Sequence, residues 1–364
     1  MESLENPRFW IRFSQSTSRH NSLIWILSGI FIIFAGGIAA YSIYILQTAP
    51  FAPAIFTGAI NKPEPIPVKY YSPLTGSLVA SEAVTKQAVT GIMIENSPDA
   101  RPQSGLKDSG VVFEAIAEGG ITRFLVLYQA EKPQLIGPVR SLRLYDVEWL
   151  AAFDASVAHI GGSAAALVEV RNGSYRDIDQ FFNSGGYWRS SDRYSPHNVY
   201  TSFERLDALN LAKGYTTSNF TGFTRVDGLP SELPNATAIN ITISSYLYNN
   251  SYIYDNVTNT YARSQGGEAH LDRESGQIAP SVIVAMRVDE TTIFEDGYRE
   301  QITTIGSGAA VIFQNGVAIN ATWQKASKTG QITFADGAGV DIPLVRGQTW
   351  IIAVPNIDGD VTWL

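Results

Sequence analysis

The hydrophobic pattern opens with an unbroken apolar run over residues 23–46 that contains no charged side chain. At about 1.5 Å of rise per residue, a helix of that length spans the roughly 30 Å of a hydrocarbon layer. The run therefore predicts an uncleaved membrane anchor rather than a signal peptide, whose apolar stretch is shorter. Arg8, Arg12 and Arg19 precede it, and the first charge after it is Lys62. That asymmetry predicts residues 1–22 in the cytoplasm and everything beyond the anchor outside. Residues 47–72 hold Pro50, Pro53, Pro63, Pro65 and Pro67 among few hydrophobic repeats, and read as a semi-extended spacer.

Globular patterning begins near residue 73. Residues 88–96, 111–117 and 121–129 predict three strands, the last two joined by the tight turn Glu118-Gly119-Gly120. A long run of turn formers carrying Arg101 separates the first two, and loops of that length inside a domain are commonly functional. Ile121, Arg123, Leu125 and Leu127 share one face of the third strand, so Arg123 needs an acid, which Glu114 or Glu118 can supply. The stretch GPVRSLRLY (137–145) follows. It sets Arg140 and Arg143 at the mouth of an amphipathic helix on which Leu142, Tyr145, Trp149, Leu150 and Phe153 recur at helical spacing, with Ser141 as N-cap. A helix start already carries partial positive charge, so two arginines there call for an anion between them.

Residues 155–170 read as a buried strand ending near His159, a turn at Gly161 and Gly162, and a helix capped by Ser163, a geometry in which backbone N–H groups can face an anion. The aromatic and polar residues 175–202 lack periodicity and predict an ordered excursion over a site. Thr201 and Glu204 form a predicted capping box for a helix ended by Gly214. Beyond residue 222 the chain turns to short strands, with Asn315-Gly316 demanding a type I′ hairpin turn. The expected fold is α+β: a mixed α/β domain over 73–223, then a β-rich sandwich or small barrel over 224–364.

With 45% hydrophobic and 16% charged residues in 364, the chain is long and apolar enough for real cores. A formal charge of −8 argues against nucleic acid as a partner, so any anion site has to be a local pocket. The absence of cysteine excludes disulfides, thiolate nucleophiles, cysteine-held zinc and a lipid-modified cysteine within these residues.

The arginines Arg101, Arg123, Arg140, Arg143, Arg189 and Arg193 are able to hold a carboxylate or phosphate in bidentate fashion, and structural salt bridges compete for the same residues. His159 and His197 are candidate general bases. Together with Asp179 they would suit zinc or iron, but no short-spaced metal motif supports this. Ser163 lacks the GxSxG elbow of a hydrolase, and Glu114 with Glu118 fits an ion-pair ladder as well as an acid–base pair. No metal or cofactor is expected. The expected ligand cleft comprises Arg101, Arg123, Arg140, Arg143, Gly161, Gly162, Ser163, His197 and Asn198.

Several ordered blocks carry a family resemblance. PLTG (73–76), IMIEN and ARPQSGL (within 92–106), EGGITRF (118–124), IGPVRSLRLY (136–145), HIGGS (159–163), DID (177–179) and PHNVYTS (196–202) are followed by YARS, HLDRESG, GSG, TWQK and GQTW. Together they resemble the YerB-like family of bacterial cell-envelope proteins. The resemblance implies a two-part extracytoplasmic domain of unknown biochemical role, commonly a lipoprotein, and brings no catalytic assignment. Without a cysteine, this chain would be attached through residues 23–46. The expectation is a single-pass envelope protein that binds an anionic cell-wall component. A wall-directed hydrolase and a scaffold for another envelope protein are the alternatives, and the sequence gives no oligomeric state.

Overall fold

The computed structural model describes residues 21–48 and 68–364, and the chain divides into two units, Met1–Ile66 and Pro67–Leu364. In the first, helix α1 (Asn21–Thr48) contains the stretch Ile26–Thr48, whose mean hydropathy of 2.1 and length suffice to cross a membrane. The three arginines before it and most of the proline-rich spacer lie outside the described residues.

In the second unit the apolar runs become strands close to where they are expected: β1 (Thr90–Glu95), β2 (Val111–Glu118) and β3 (Ile121–Tyr128). Helix α2 (Leu144–Leu150), β4 (Ser156–Ala158), helix α3 (Ala164–Asn172), β5 (Arg176–Asp177) and helix α4 (Phe203–Ala212) complete the first half. The second half contributes β6 (Ala238–Thr242), β7 (Asn250–Asp255), β8 (Thr260–Gln265), β9 (Glu268–Ala269) and β10 (Val282–Val288). The hairpin β11 (Glu290–Phe294) and β12 (Tyr298–Ile302) follows, then β13 (Gly306–Gln314), β14 (Val317–Lys325), β15 (Thr333–Ala335), β16 (Thr349–Pro355) and β17 (Asp360–Trp363). Asn315 and Gly316 take φ of 57° and 79°, the positive pair that a type I′ turn between β13 and β14 requires.

The boundary expected at 223/224 does not separate two bodies. Strand β16 lies parallel between β2 and β10, with Thr349 beside Val111 and Val282, so one ten-stranded sheet of order β15-β14-β13-β10-β16-β2-β3-β1-β4-β5 runs through both halves. Burial explains the arrangement. Every residue of β16 and all but the last of β2 are buried, and strands apolar on both faces cannot stand at an edge.

One face of the sheet packs against α2 and α3. There Phe113 stacks on Trp149 with ring centroids 5.2 Å apart, and burying an aromatic of this kind stabilises by roughly 1.5–3 kcal/mol. The opposite face is covered twice: by α4 and the loops around Ile136, Val139 and Val199 at one end, and by the five-stranded sheet β9-β8-β7-β6-β17 at the other. The second half thus builds a sandwich-like layer, but against a sheet it shares.

Two predicted caps move. Helix α2 begins after Arg143 rather than Ser141, and the Asp146 carboxylate accepts the Arg143 N–H at 3.0 Å. Helix α4 is capped by Ser202, because the Thr201 backbone pairs with Ile136 and its hydroxyl donates to the Gly186 carbonyl at 2.8 Å. The Ser163 cap of α3 stands, its oxygen accepting from Ala166 N–H at 3.4 Å.

A closed ring of buried hydrogen bonds joins the halves. Glu114 on β2 accepts from Arg263 on β8 at 3.0 Å, Arg263 Nε donates to His270 Nδ1 at 2.8 Å, and His270 Nε2 meets Gln103 at 3.0 Å. Gln103 donates to Asn96 at 3.0 Å, Asn96 to Thr122 at 2.6 Å, and Thr122 back to Glu114 at 3.1 Å. Burial, with Arg263 and Arg101 adding to it, keeps His270 well below its ordinary value and hence neutral. Replacing Arg263 by Met strands the Glu114 charge, and is expected to destabilise the 67–364 unit by about 3–5 kcal/mol. Urea unfolding of the full chain followed by tryptophan fluorescence checks this. The parent unit is expected to unfold in one transition, whereas independent halves would give two.

Candidate functional site

Strands β1, β2, β4 and β5 run in one direction, so Glu95, Glu118, His159 and Asp177 come to the same end of the sheet. At the carboxyl ends of parallel strands the connecting loops diverge and leave room for a ligand. The segment 137–142 lies across this end. Gly137 takes φ of 148°, and a Cβ there would come within 2.8 Å of the Val199 carbonyl, so a side chain has no room. Arg140 N–H donates to the Met93 carbonyl at 2.9 Å and Ile160 N–H to the Arg140 carbonyl at 3.1 Å, which wedges the segment between β1 and the glycine turn.

The arginines of this end meet acids of the same chain. Glu118 accepts from Arg123 Nη2 at 2.9 Å and, in a short contact, from Arg143 Nη2, while the Arg123 Nη1 group donates to the Ser141 carbonyl at 3.0 Å. Burial pushes the Glu118 carboxyl up, but the two guanidinium groups outweigh it and hold it down at about 2. Arg140 is placed differently. Its Nε lies 3.2 Å from Glu95 Oε1 without hydrogen-bond geometry, whereas the terminal nitrogens of Arg123 and Arg143 are hydrogen-bonded, and the buried Glu95 Oε2 is left without a partner. Glu95 Oε1 is shared with His197 Nδ1 at 3.0 Å and the Ser97 hydroxyl at 3.1 Å. A proton on Nδ1 satisfies the carboxylate and leaves Nε2 of the partly exposed ring facing Asp99 at 3.9 Å. Arg101 is held by the Asn96 and Leu247 carbonyls at 3.0 and 2.9 Å and lies over the Tyr248 ring.

The expected cleft is corrected in several places. Positive side chains do gather here, but Glu118 supplies the anion for Arg123 and Arg143, because guanidinium groups this deeply buried are too costly to leave uncompensated. Most donors of the glycine turn are already used: Gly161 N–H donates to Asp179 at 3.2 Å, Ser163 N–H to the Leu142 carbonyl at 3.1 Å, and the Glu295 carboxylate accepts from Ala165 N–H in a short contact. The Gly161 and Ser163 N–H groups are therefore taken by the Asp179 carboxylate and the Leu142 carbonyl of the chain itself.

His159 is wholly buried, with Nε2 at 3.0 Å from Asp177 and Nδ1 at 2.8 Å from the Gly161 carbonyl, out of a substrate's reach as a general base. Asn198 spans Arg189 at 2.8 Å and the Ser190 carbonyl at 3.1 Å, so its amide shapes the loop. Among the described residues no group of three His, Asp or Glu side chains is placed to hold a metal. Sequence reasoning missed Glu95, Ser97 and Glu295. For Glu95 the signal was present, since it is the single charge of an otherwise apolar strand.

The chain belongs to the family described as Protein of unknown function (DUF3048), whose N-terminal domain matches residues 74–216 and whose C-terminal domain matches residues 239–351. The "Putative lipoprotein YerB" of Bacillus subtilis (strain 168) is 33% identical to it over 296 residues, which cover 80% of this chain and 88% of the relative. The crystal structure of YerB protein from Bacillus subtilis is similar with a TM-score of 0.71 and 32% identity, over 81% of this chain and 100% of that one.

The depressed Glu118 value fixes a pH window. An unfolded glutamate titrates near about 4.3, so the stabilisation is fully present above that pH and is lost as pH falls toward about 2. In thermal melts E118Q is expected to melt below the parent at pH 7, and the gap between them to close as pH is lowered through that window.

Proposed function

We propose that the chain is a single-pass protein of the bacterial envelope, with its N-terminus cytoplasmic and its second unit outside, and that this unit binds an anionic cell-wall component through Arg140 and His197. Helix α1 supplies the anchor, and Arg8, Arg12 and Arg19 supply the charge that keeps its start inside. The lipoprotein description of the Bacillus subtilis relative points to the same compartment. With no cysteine in the 364 residues, α1 takes the place of a lipid as the attachment.

The observation that carries the binding reading is the state of Arg140. Its side chain is 25% exposed, and its ion pair with Glu95 is imperfect because His197 and Ser97 share the same oxygen. A carboxylate or phosphate can take both terminal nitrogens in the fork geometry that Glu95 does not reach. His197, when protonated, adds a second donor from Nε2. R140A is expected to weaken co-sedimentation with purified wall by roughly ten- to a hundredfold, the effect of losing a charge-assisted hydrogen bond. Binding unchanged by R140A removes the reading.

The Glu95–His197 contact also favours a second reading, wall hydrolysis with His197 as general base, since a carboxylate on Nδ1 is what orients an imidazole for that role. That reading predicts release of soluble fragments from purified wall, abolished in H197A. No release by the parent protein eliminates it.

A further inference from the structure

On the α2 and α3 side of the sheet, the β11–β12 hairpin helps enclose a cavity of about 470 Å³, within the size range of small-molecule sites. Its wall is of two kinds. Leu144, Tyr145, Ile293, Ile302 and Ile305 make much of it apolar, whereas Glu148, Glu295 and Glu300 bring carboxylates to it along with Arg143 and Arg299. Both of those cations are already paired, Arg143 with Glu118 and Arg299 with Asp296 at 3.2 Å.

The acids are not matched in the same way. Glu295 accepts from the Ala165 backbone, Glu148 from the Thr304 hydroxyl, and Glu300 from the Thr292 hydroxyl at 2.9 Å. Among the described residues none of the three forms an ion pair. Lys325 and Lys328 both feel Glu148, but the Lys325 ammonium donates to the Ser327 carbonyl at 2.6 Å and to that of Lys328, and Lys328 itself pairs with Glu169 at 2.8 Å. Behind Glu300 on the same face of the hairpin lies Glu290, whose buried Oε2 has no hydrogen-bond partner. Burial and the like charge of Glu300 push the Glu290 carboxyl up to about 8. The Glu290 and Glu300 carboxylates repel one another, and a cation placed beside Glu300 relieves that repulsion.

We propose that this cavity binds a small molecule that carries a protonated amine on an apolar chain, with Glu148 and Glu300 accepting from the ammonium. The site is separate from the Arg140 rim, takes the opposite charge, and does not depend on the reading given for that rim.

The test uses the full chain in lipid nanodiscs, with empty nanodiscs as blank and titration followed by ligand-observed NMR. n-Pentylammonium is the probe, and 1-pentanol and pentanoate are its neutral and anionic counterparts. Saturable pentylammonium binding with Kd roughly millimolar is expected, at least about tenfold weaker in E148Q and in E300Q, with no saturation by pentanol or pentanoate. R140A should leave it unchanged. E300Q removes the charge that repels Glu290 and should melt no lower than the parent, so binding lost in that variant cannot be put down to unfolding. No saturation above the blank, equal binding of pentanoate, or pentylammonium binding unchanged in both glutamine variants overturns the proposal.

Discussion

A carboxylate and a guanidinium, both out of reach of water, are what the two halves of the chain have to bring together. Glu114 and Arg263 are each 0% exposed, and neither can be buried alone without a penalty of several kcal/mol. Their pair adds little net stability, but the ring that contains it is complete only when β2, β3, β8 and the 96–103 loop are all in register. A half-satisfied network costs more than none, so the ring selects one arrangement out of the many that hydrophobic packing would accept. Arg263 is further fixed by the Trp350 ring, 4.2 Å from its guanidinium, which places β16 in the same constraint.

That constraint reaches the candidate site directly. Gln103, a member of the ring, also donates to the Glu95 carbonyl at 3.0 Å, so the backbone carrying Glu95 and Ser97 is positioned from the core outward. Arg101 extends the same network to the Leu247 carbonyl in the second half. The second half therefore acts on the rim without contributing its titratable groups, which come from β1, the 137–142 segment and the 193–198 loop. The rim and the hairpin cavity share one pattern: the deeply buried arginines meet acids of the chain, and groups nearer the surface, Arg140 at the rim and Glu148 and Glu300 at the cavity, are matched less completely.

How much of this could be read beforehand depends on how local each signal was. The runs that became β1 to β4, the Asn315-Gly316 turn and the Ser163 cap are fixed by residues within a few positions of one another, and all were legible. So was the need of Arg123 for an acid on the partner strand, with Glu114 and Glu118 as the alternatives and Glu118 the one that meets it. The position of β16 was not, since TWIIAVP announces burial on both faces but nothing about its neighbours. His197 and Glu95 lie 102 positions apart, and no spacing rule connects them. Ser141 was misread as a cap because a local rule cannot show that residues 137–142 spend their backbone hydrogen bonds on β1 and the glycine turn. Arg123 and Arg143 share Glu118, and what a reading that followed positive charge passed over was Glu95 beside Arg140.

The position of β16 bears on how the protein is made. A ribosome delivers β2 long before β16, so during synthesis the middle of the sheet stands open, with the apolar rim of β2 lacking its neighbour. Nearly the whole unit must be released before that gap can close, which favours slow maturation and exposes an unpaired backbone edge to any other extended chain nearby. On the proposed reading of α1 as an anchor, such unfinished molecules stay dispersed along a surface instead of free to meet in solution.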